Sequence, residues 1–477
     1  MNCKHFYAKL IICLLLLTSC SKSEDLPVDL QINNFIWGGL NAYYLWQSDV
    51  ADLQDTRFGN QSQLNSYLSG FSSPENLFES LLNRPEDRFS VIVDDYIALE
   101  NSFQGIFLST GMEFGLVLYA NNDTNVFGYV RYVIPNSPAD LAGITRGMIF
   151  NHIDGTQITV NNFRNLVFGS NTTVSFEFAD YNNGDPIRNG TIETISKVEV
   201  QENPIAISKV ISTGTQKIGY LLYNQFASNY NDALNTAFGN FKSENIDELI
   251  VDLRYNGGGS TNTATLLGSL ITGQFSGELY SQEIWNEKVM NAFSPDNFTN
   301  NFINTLNNAP INSLNLPRVY FIVSGSTASA SELVINALRA YIDVRLVGTQ
   351  TVGKQVGSIT LYDSGNFFRT GSVVNPNHTY AMQPIVLEIS NKNKENVPLG
   401  FIPGSTLPGV ILREDFGNLG VLGERSDPLL DRTIVYIETG SKGLSNQKSD
   451  LSKEFYNSKL ATPTSNNMYT DLPKNSN

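Results

Sequence analysis

The sequence predicts a multidomain α+β protein: an N-terminal helical domain, a β-rich domain, then an α/β domain built on a mainly parallel sheet. Three patterns carry this. Ile36, Leu40, Tyr43 and Tyr44 recur at the spacing of one helical face. Val174-Ser175-Phe176-Glu177-Phe178 alternates apolar and polar residues, as a half-buried strand does. From about residue 205, apolar strand-like runs alternate with helical ones, an order that implies parallel strands covered by helices.

Taken in order, the chain begins with Lys4 and Lys9 ahead of the apolar run Leu10 to Leu17. That layout is a secretory signal, too short for a membrane span. It ends in Leu17-Thr18-Ser19-Cys20, which resembles a bacterial lipobox. The resemblance implies a signal peptide over 1–19, a lipid on Cys20, a polar tether over 20–27 and attachment to a membrane through that lipid. The alternative is a plain signal peptide with a chance cysteine. Cys3 and Cys13 fall inside the signal, so the processed chain has no disulfide and no thiolate zinc site. Acidic Glu24-Asp25 after Cys20 points onward to an outer-membrane lipoprotein of the bacterial cell envelope, on either face.

Residues 28–103 read as the helical domain. Ser73 is placed to cap a second helix from Pro74, and Trp37 and Trp46 are read as core. Residues 104–200 are β-rich. Within them, Ser137-Pro138-Ala139, Ala142-Gly143 and Gly147-Met148-Ile149 resemble a PDZ domain of the bacterial protease type, with Met148 where that family usually has Asp. Glu113-Phe114-Gly115-Leu116 matches the carboxylate-binding loop. The resemblance implies a groove that binds peptide by strand addition; a spacer that binds nothing, or a domain that gates the site, is the other reading.

Residues 201–436 carry the α/β pattern. Strands are expected at Lys217–Tyr223, Glu248–Arg254, Pro317–Val323 and Val344–Val347, with helices at Asp232–Phe241, Thr261–Ile271 and Ser326–Tyr341. The polar stretch 437–477, rich in Ser, Asn and Lys, is read as disordered.

The chemistry centres on Ser324-Gly325-Ser326-Thr327-Ala328-Ser329-Ala330-Ser331-Glu332, small residues between a buried strand and a helix, followed one strand later by Thr351-Val352-Gly353-Lys354. A hydroxyl at a helix N-terminus sits beside amides and a dipole that stabilise an oxyanion. The hydroxyl still needs a base. Histidine is scarce: His5 lies in the signal, His152 in the β-rich domain and His378 in a polar stretch. Lysine serves if burial favours its neutral form, although an isolated loop lysine is ordinarily just solvated.

These segments, with Asp252-Leu253-Arg254 and Gly258-Gly259, resemble the carboxyl-terminal processing peptidases, also called tail-specific proteases. The resemblance implies a crotonase-like core, Ser329 as nucleophile, Lys354 as general base, and oxyanion donors at Gly258 and Ala330. Glu332 is one choice for the third member. Another family pattern has Gln four residues after the lysine, where this chain has Ser358, and Gln355 stands nearer. Gly257 replaces a frequent proline and Gly404 a frequent Asp. Ser326 is expected to help begin the helix.

The expected function is therefore lipid-anchored serine endoproteolysis of unfolded or flexible polypeptides, needing no metal or organic cofactor. The alternative is a lipid-anchored peptide-binding or scaffolding protein on a protease fold that no longer cleaves. A formal charge of −15 argues against nucleic acid as a partner, since phosphate contacts need a basic face. Nothing in the sequence sets the oligomeric state.

Overall fold

The computed structural model describes residues 26–441, 453–462 and 465–472. The signal segment and Cys20 lie outside the described residues. The chain divides into two compact units. One takes the chain up to Ile97 together with 285–294 and 358–387; the other takes the remainder.

The first unit holds helices α1 (Val28–Tyr43), α2 (Gln61–Leu68) and α3 (Pro74–Ser80). The expected face of α1 is real: Ile36 and Leu40 are fully buried, as is Tyr44 just beyond the helix, while Tyr43 is half-buried. Tyr44 donates its hydroxyl to Asp87 (2.9 Å). The Ser73 hydroxyl accepts the Asn76 amide at 3.3 Å, the cap expected for α3. The expected boundary at 103 is not where this unit ends. Val91–Val93 pairs with Ala381–Gln383, which pairs with Leu361–Tyr362. The apolar face of α1 needs more cover than residues 28–103 supply, and Met382 and Leu361 lie against Gly39 to provide it.

In the second unit, the sheet of the β-rich part includes five antiparallel strands: β1 (Met112–Tyr119), β2 (Asn122–Val133), β3 (Ile149–Ile153), β4 (Thr173–Asp180) and β5 (Ile187–Ser196). They close with helix α4 (Phe163–Phe168) around Leu116, Val130, Phe150 and Phe176. Met148 packs against this core, so an apolar residue there fits. The tail departs from expectation. Glu454–Asn457 is a strand on the outer edge of β1, and Met468–Tyr469 pairs with Gly259–Ser260. Polar composition gives a segment no core of its own, but an open strand edge supplies backbone partners regardless of side-chain polarity.

The α/β part is a six-stranded sheet in the order β6 (Ile205–Ser212), β7 (Lys217–Tyr223), β8 (Glu248–Asp252), β9 (Arg318–Val323), β10 (Asp343–Gly348) and β11 (Gly409–Ile411). β6 is antiparallel to β7, and the rest run parallel. The helices are α5 (Asn231–Ser243), α6 (Thr261–Thr272), α7 (Ala330–Leu338) and α8 (Pro428–Thr439). Leu429, Leu430 and Ile434 of α8 pack against Ile250, Tyr320 and Ile322 of the sheet.

Candidate active site

Three loops leave the carboxyl ends of adjacent parallel strands: Leu253–Gly258 after β8, Ser324–Ser329 after β9 and Thr349–Lys354 after β10. That is where open α/β sheets place their ligands. Hydrogen bonds stitch the loops together. Thr327 Oγ1 donates to Leu253 O (2.8 Å), the Ala328 amide to Asn256 O (3.2 Å) and the Val352 amide to Thr327 O (3.0 Å). The helix expected from Ser326 therefore begins only at Ala330, because residues 324–328 spend their polar groups on the neighbouring loop. Ser326 does not begin the helix; its hydroxyl accepts Arg131 Nη2 at 2.8 Å.

Ser329 is the N-cap of α7, at φ 65° and ψ −117°. An L-residue rarely adopts this conformation, and such strain collects at functional sites. The turn is a strand-to-helix elbow, a geometry able to present a side chain at the carboxyl end of a sheet. Its Oγ is buried and makes no hydrogen bond. Ser331, two residues on, points elsewhere and donates to Asn256 O.

Glu332 ties the serine and lysine loops together. Its Oε2 accepts the amides of Ser329 (2.9 Å) and Lys354 (2.8 Å), and its Oε1 accepts the Gly353 amide (2.8 Å) and the Thr351 hydroxyl. Burial raises the Glu332 carboxyl above the ordinary range, while the Thr351 hydroxyl and the three amides pull it the other way. Lys354 is 1% exposed. Glu332 is thus joined to Lys354 through the backbone of its loop. Gln355 is buried with neither side-chain atom hydrogen-bonded, and the Ser358 hydroxyl donates to Gln383.

The two expected oxyanion donors fare differently. The Ala330 amide is the first of α7, one of the donors a helix leaves without an internal partner. Gly258, at φ 114°, lies against the serine: a Cβ there would come within 2.7 Å of Ser329 Cβ and 3.0 Å of Ala330 N. Its own amide, however, donates to Asn256 Oδ1 at 2.9 Å. The next amide, Gly259 N–H, holds a peptide carbonyl, that of Asn467, at 2.6 Å. Glycine at 258 thus supplies space beside the serine, while its amide is engaged by Asn256.

Sequence reasoning missed the support beneath the glycine loop. Arg254 is fully buried and pairs with Asp252 (2.6 Å), Asp427 (2.8 Å) and Glu414 (3.2 Å). Arg146 of the β-rich part reaches the same Glu414 (2.8 Å) and the Tyr255 hydroxyl (2.7 Å). Burial would raise Glu414, but Arg146 and Arg254 overcome it and draw the carboxyl down to about 2. An arginine in a strand-to-loop motif is the only signal the sequence offers, and it names no partner.

Glu113, Phe114, Gly115 and Leu116 do not form a loop. They lie within β1, with Phe114 and Leu116 turned into the core, so only the backbone edge is offered outward. That edge is taken by Glu454–Asn457. His152 sits beside Asn151 on β3, and His378 hydrogen-bonds Asp363 in the first unit.

The chain is similar to known peptidases. Residues 217–383 match the model of peptidase family S41, and residues 31–91 match the peptidase S41 N-terminal domain. A carboxyl-terminal-processing protease of a Picosynechococcus species is 24% identical over 281 residues, 56% of this chain and 61% of that protein. A carboxy-terminal-processing protease of Bartonella bacilliformis is 24% identical over 306 residues, 58% of this chain and 64% of that protein. The chain thus spans less than two thirds of the length of either relative. The crystal structure of an S41 protease of Bacteroides fragilis superposes with a TM-score of 0.65 at 24% identity, covering 85% of this chain and 97% of the other, a likeness of fold.

Proposed function

The chain belongs to peptidase family S41, and from that premise we propose that it is a serine endopeptidase of the carboxyl-terminal-processing type, cutting unfolded or flexible polypeptides through Ser329 and Lys354. The observation that carries the reading is Ser329 itself: a strained, buried cap whose hydroxyl has no other use, held by Glu332 to the loop bearing a buried lysine.

The neutral Lys354 amine takes the Ser329 proton as Oγ attacks the peptide carbonyl. The Ala330 amide, with an amide of the glycine loop, holds the oxyanion. Lys354 returns the proton to the leaving amine as the C–N bond breaks. Water then resolves the acyl ester with Lys354 again as base, and Ser329 is restored. Glu332 acts as a positioning residue through the backbone of the lysine loop. The β-rich domain presents substrate as an added strand on the β1 edge, in the manner of PDZ domains. A lipid on Cys20 anchors the protein in the cell envelope, as the lipobox-like segment implies.

The test is cleavage of an unfolded protein by the chain Ser21–Asn477, run beside Ser329→Ala and Lys354→Ala. Loss of cleavage in both variants, with unfolding transitions retained, is the expected result. Activity persisting in Ser329→Ala would assign the nucleophile elsewhere.

A further inference from the structure

The tail strands Glu454–Asn457 and Met468–Tyr469 occupy the ground that the proposed function reserves for a substrate. The first runs antiparallel to β1, Tyr456 opposite Leu116 and Asn457 opposite Gly115. Successive side chains are then read individually. The Glu454 carboxylate takes Arg131 Nη2 (2.6 Å) and the Tyr129 hydroxyl, and Gly115 leaves room for it, since a Cβ there would run into that carboxylate. The Tyr456 ring packs on α4, 5.1 Å from Phe163 and 5.3 Å from Phe168, with the Arg164 guanidinium 4.9 Å over its face. The Ser458 hydroxyl donates to Glu113 (2.6 Å) and accepts the Phe114 amide (2.9 Å).

Two features mark this as a built site rather than chance packing. Arg131 is 2% exposed, and the carboxylate that pairs with it comes from the tail; a buried guanidinium without its acid is costly. Farther along, the same tail passes the nucleophile. Asn467 O, which accepts the Gly259 amide, lies within 2.6 Å of the point a Gly258 Cβ would occupy, and Ser329 Cβ lies within 2.7 Å of that point. Met468–Tyr469 continues as a strand parallel to Gly259–Ser260.

We propose that the tail is a peptide ligand held in cis: the β1–α4 groove is a site for segments of the class acid–x–aromatic–Asn–Ser, filled here by Glu454–Ser458, and Asn467–Tyr469 lies in the cleft beside Ser329. A polypeptide substrate of that class must displace the tail. The assignment of the cleft, but not of the groove, rests on the peptidase reading above.

The test measures binding of a fluorescent peptide, Glu-Phe-Tyr-Asn-Ser-Lys-Leu, to the full chain carrying Ser329→Ala, so that no catalysis intervenes. The comparison is the same chain with Glu454→Gln and Tyr456→Ala added, its unfolding transition checked first. If the parent groove is free about a tenth of the time, the peptide binds about tenfold tighter once the tail is weakened. A peptide with Gln for its acid and Ala for its tyrosine binds at least several-fold more weakly to either chain, a comparison that needs no altered protein. Equal affinity for parent and tail variant, or for the two peptides, overturns the proposal. With Ser329 restored, the tail variant cleaves unfolded protein at a lower KM and unchanged kcat. The binding pattern without cleavage by either chain would leave the cis ligand standing and remove the peptidase reading. Cleavage at the same KM by both chains would do the reverse.

Discussion

Ser329 holds a conformation that glycine adopts freely and serine does not, and its hydroxyl makes no hydrogen bond that would be missed. Ser329→Gly should therefore abolish cleavage while leaving the chain as stable as before or more stable by about 1 kcal/mol, read from the urea midpoint. A loss of stability would mean the turn is not strained. This residue stood out in the sequence because small residues clustered between a strand and a helix leave few roles for a hydroxyl. Glu332 was legible as one choice for the third member of the site, on the first turn of a helix. That it gathers the Gly353 and Lys354 amides was hidden, because those amides come from a loop after the next strand and no periodicity links them. That the Gly258 amide is taken up by Asn256 was hidden for the same kind of reason: amide direction is set by φ and ψ at successive glycines, which composition does not encode.

Elements buried on both faces were read from sequence to within a residue or two. Lys217–Tyr223 is a strand from end to end, and the helix expected at Thr261–Ile271 runs to Thr272. The elements that drifted are those whose ends are set by side chains binding backbone elsewhere, as with the late start of α7. The same physics makes one element end decisive. Asp427 caps α8, accepting the Leu429 and Leu430 amides, and also faces Arg254 at full burial. Asp427→Ala should cost about 3–5 kcal/mol in urea unfolding, since it leaves a buried guanidinium short of an acid as well as uncapping the helix. Asp427→Asn keeps the cap and should recover about 1 kcal/mol of that loss. A cost no larger than a cap alone would show that Asp252 and Glu414 suffice for Arg254.

Within the second unit, the β-rich and α/β parts meet on charge as well as on apolar surface, through Arg146, Tyr255, Arg254 and Glu414. Glu414, drawn down to about 2, is a carboxylate whose folded form is favoured above its ordinary value. Its contribution is complete above about 4.5 and is lost as the pH falls towards 2. Glu414→Gln should cost about 3 kcal/mol at pH 7, with parent and variant converging as the solution is acidified. A gap independent of pH would place the loss in packing instead. The mixed α+β class with an N-terminal helical region was readable at this scale. The return of 358–387 to the first unit and of the tail to the second was not, because those partners lie hundreds of residues apart. The tail has one more consequence. A strand that belongs to the same molecule as the edge it covers cannot be diluted away, so its occupancy is the same in a crowded compartment and a sparse one. A separate inhibitor sets a dose; a tethered one sets a threshold. Severing it once would lower that threshold for the life of the molecule, turning a single cut into a memory.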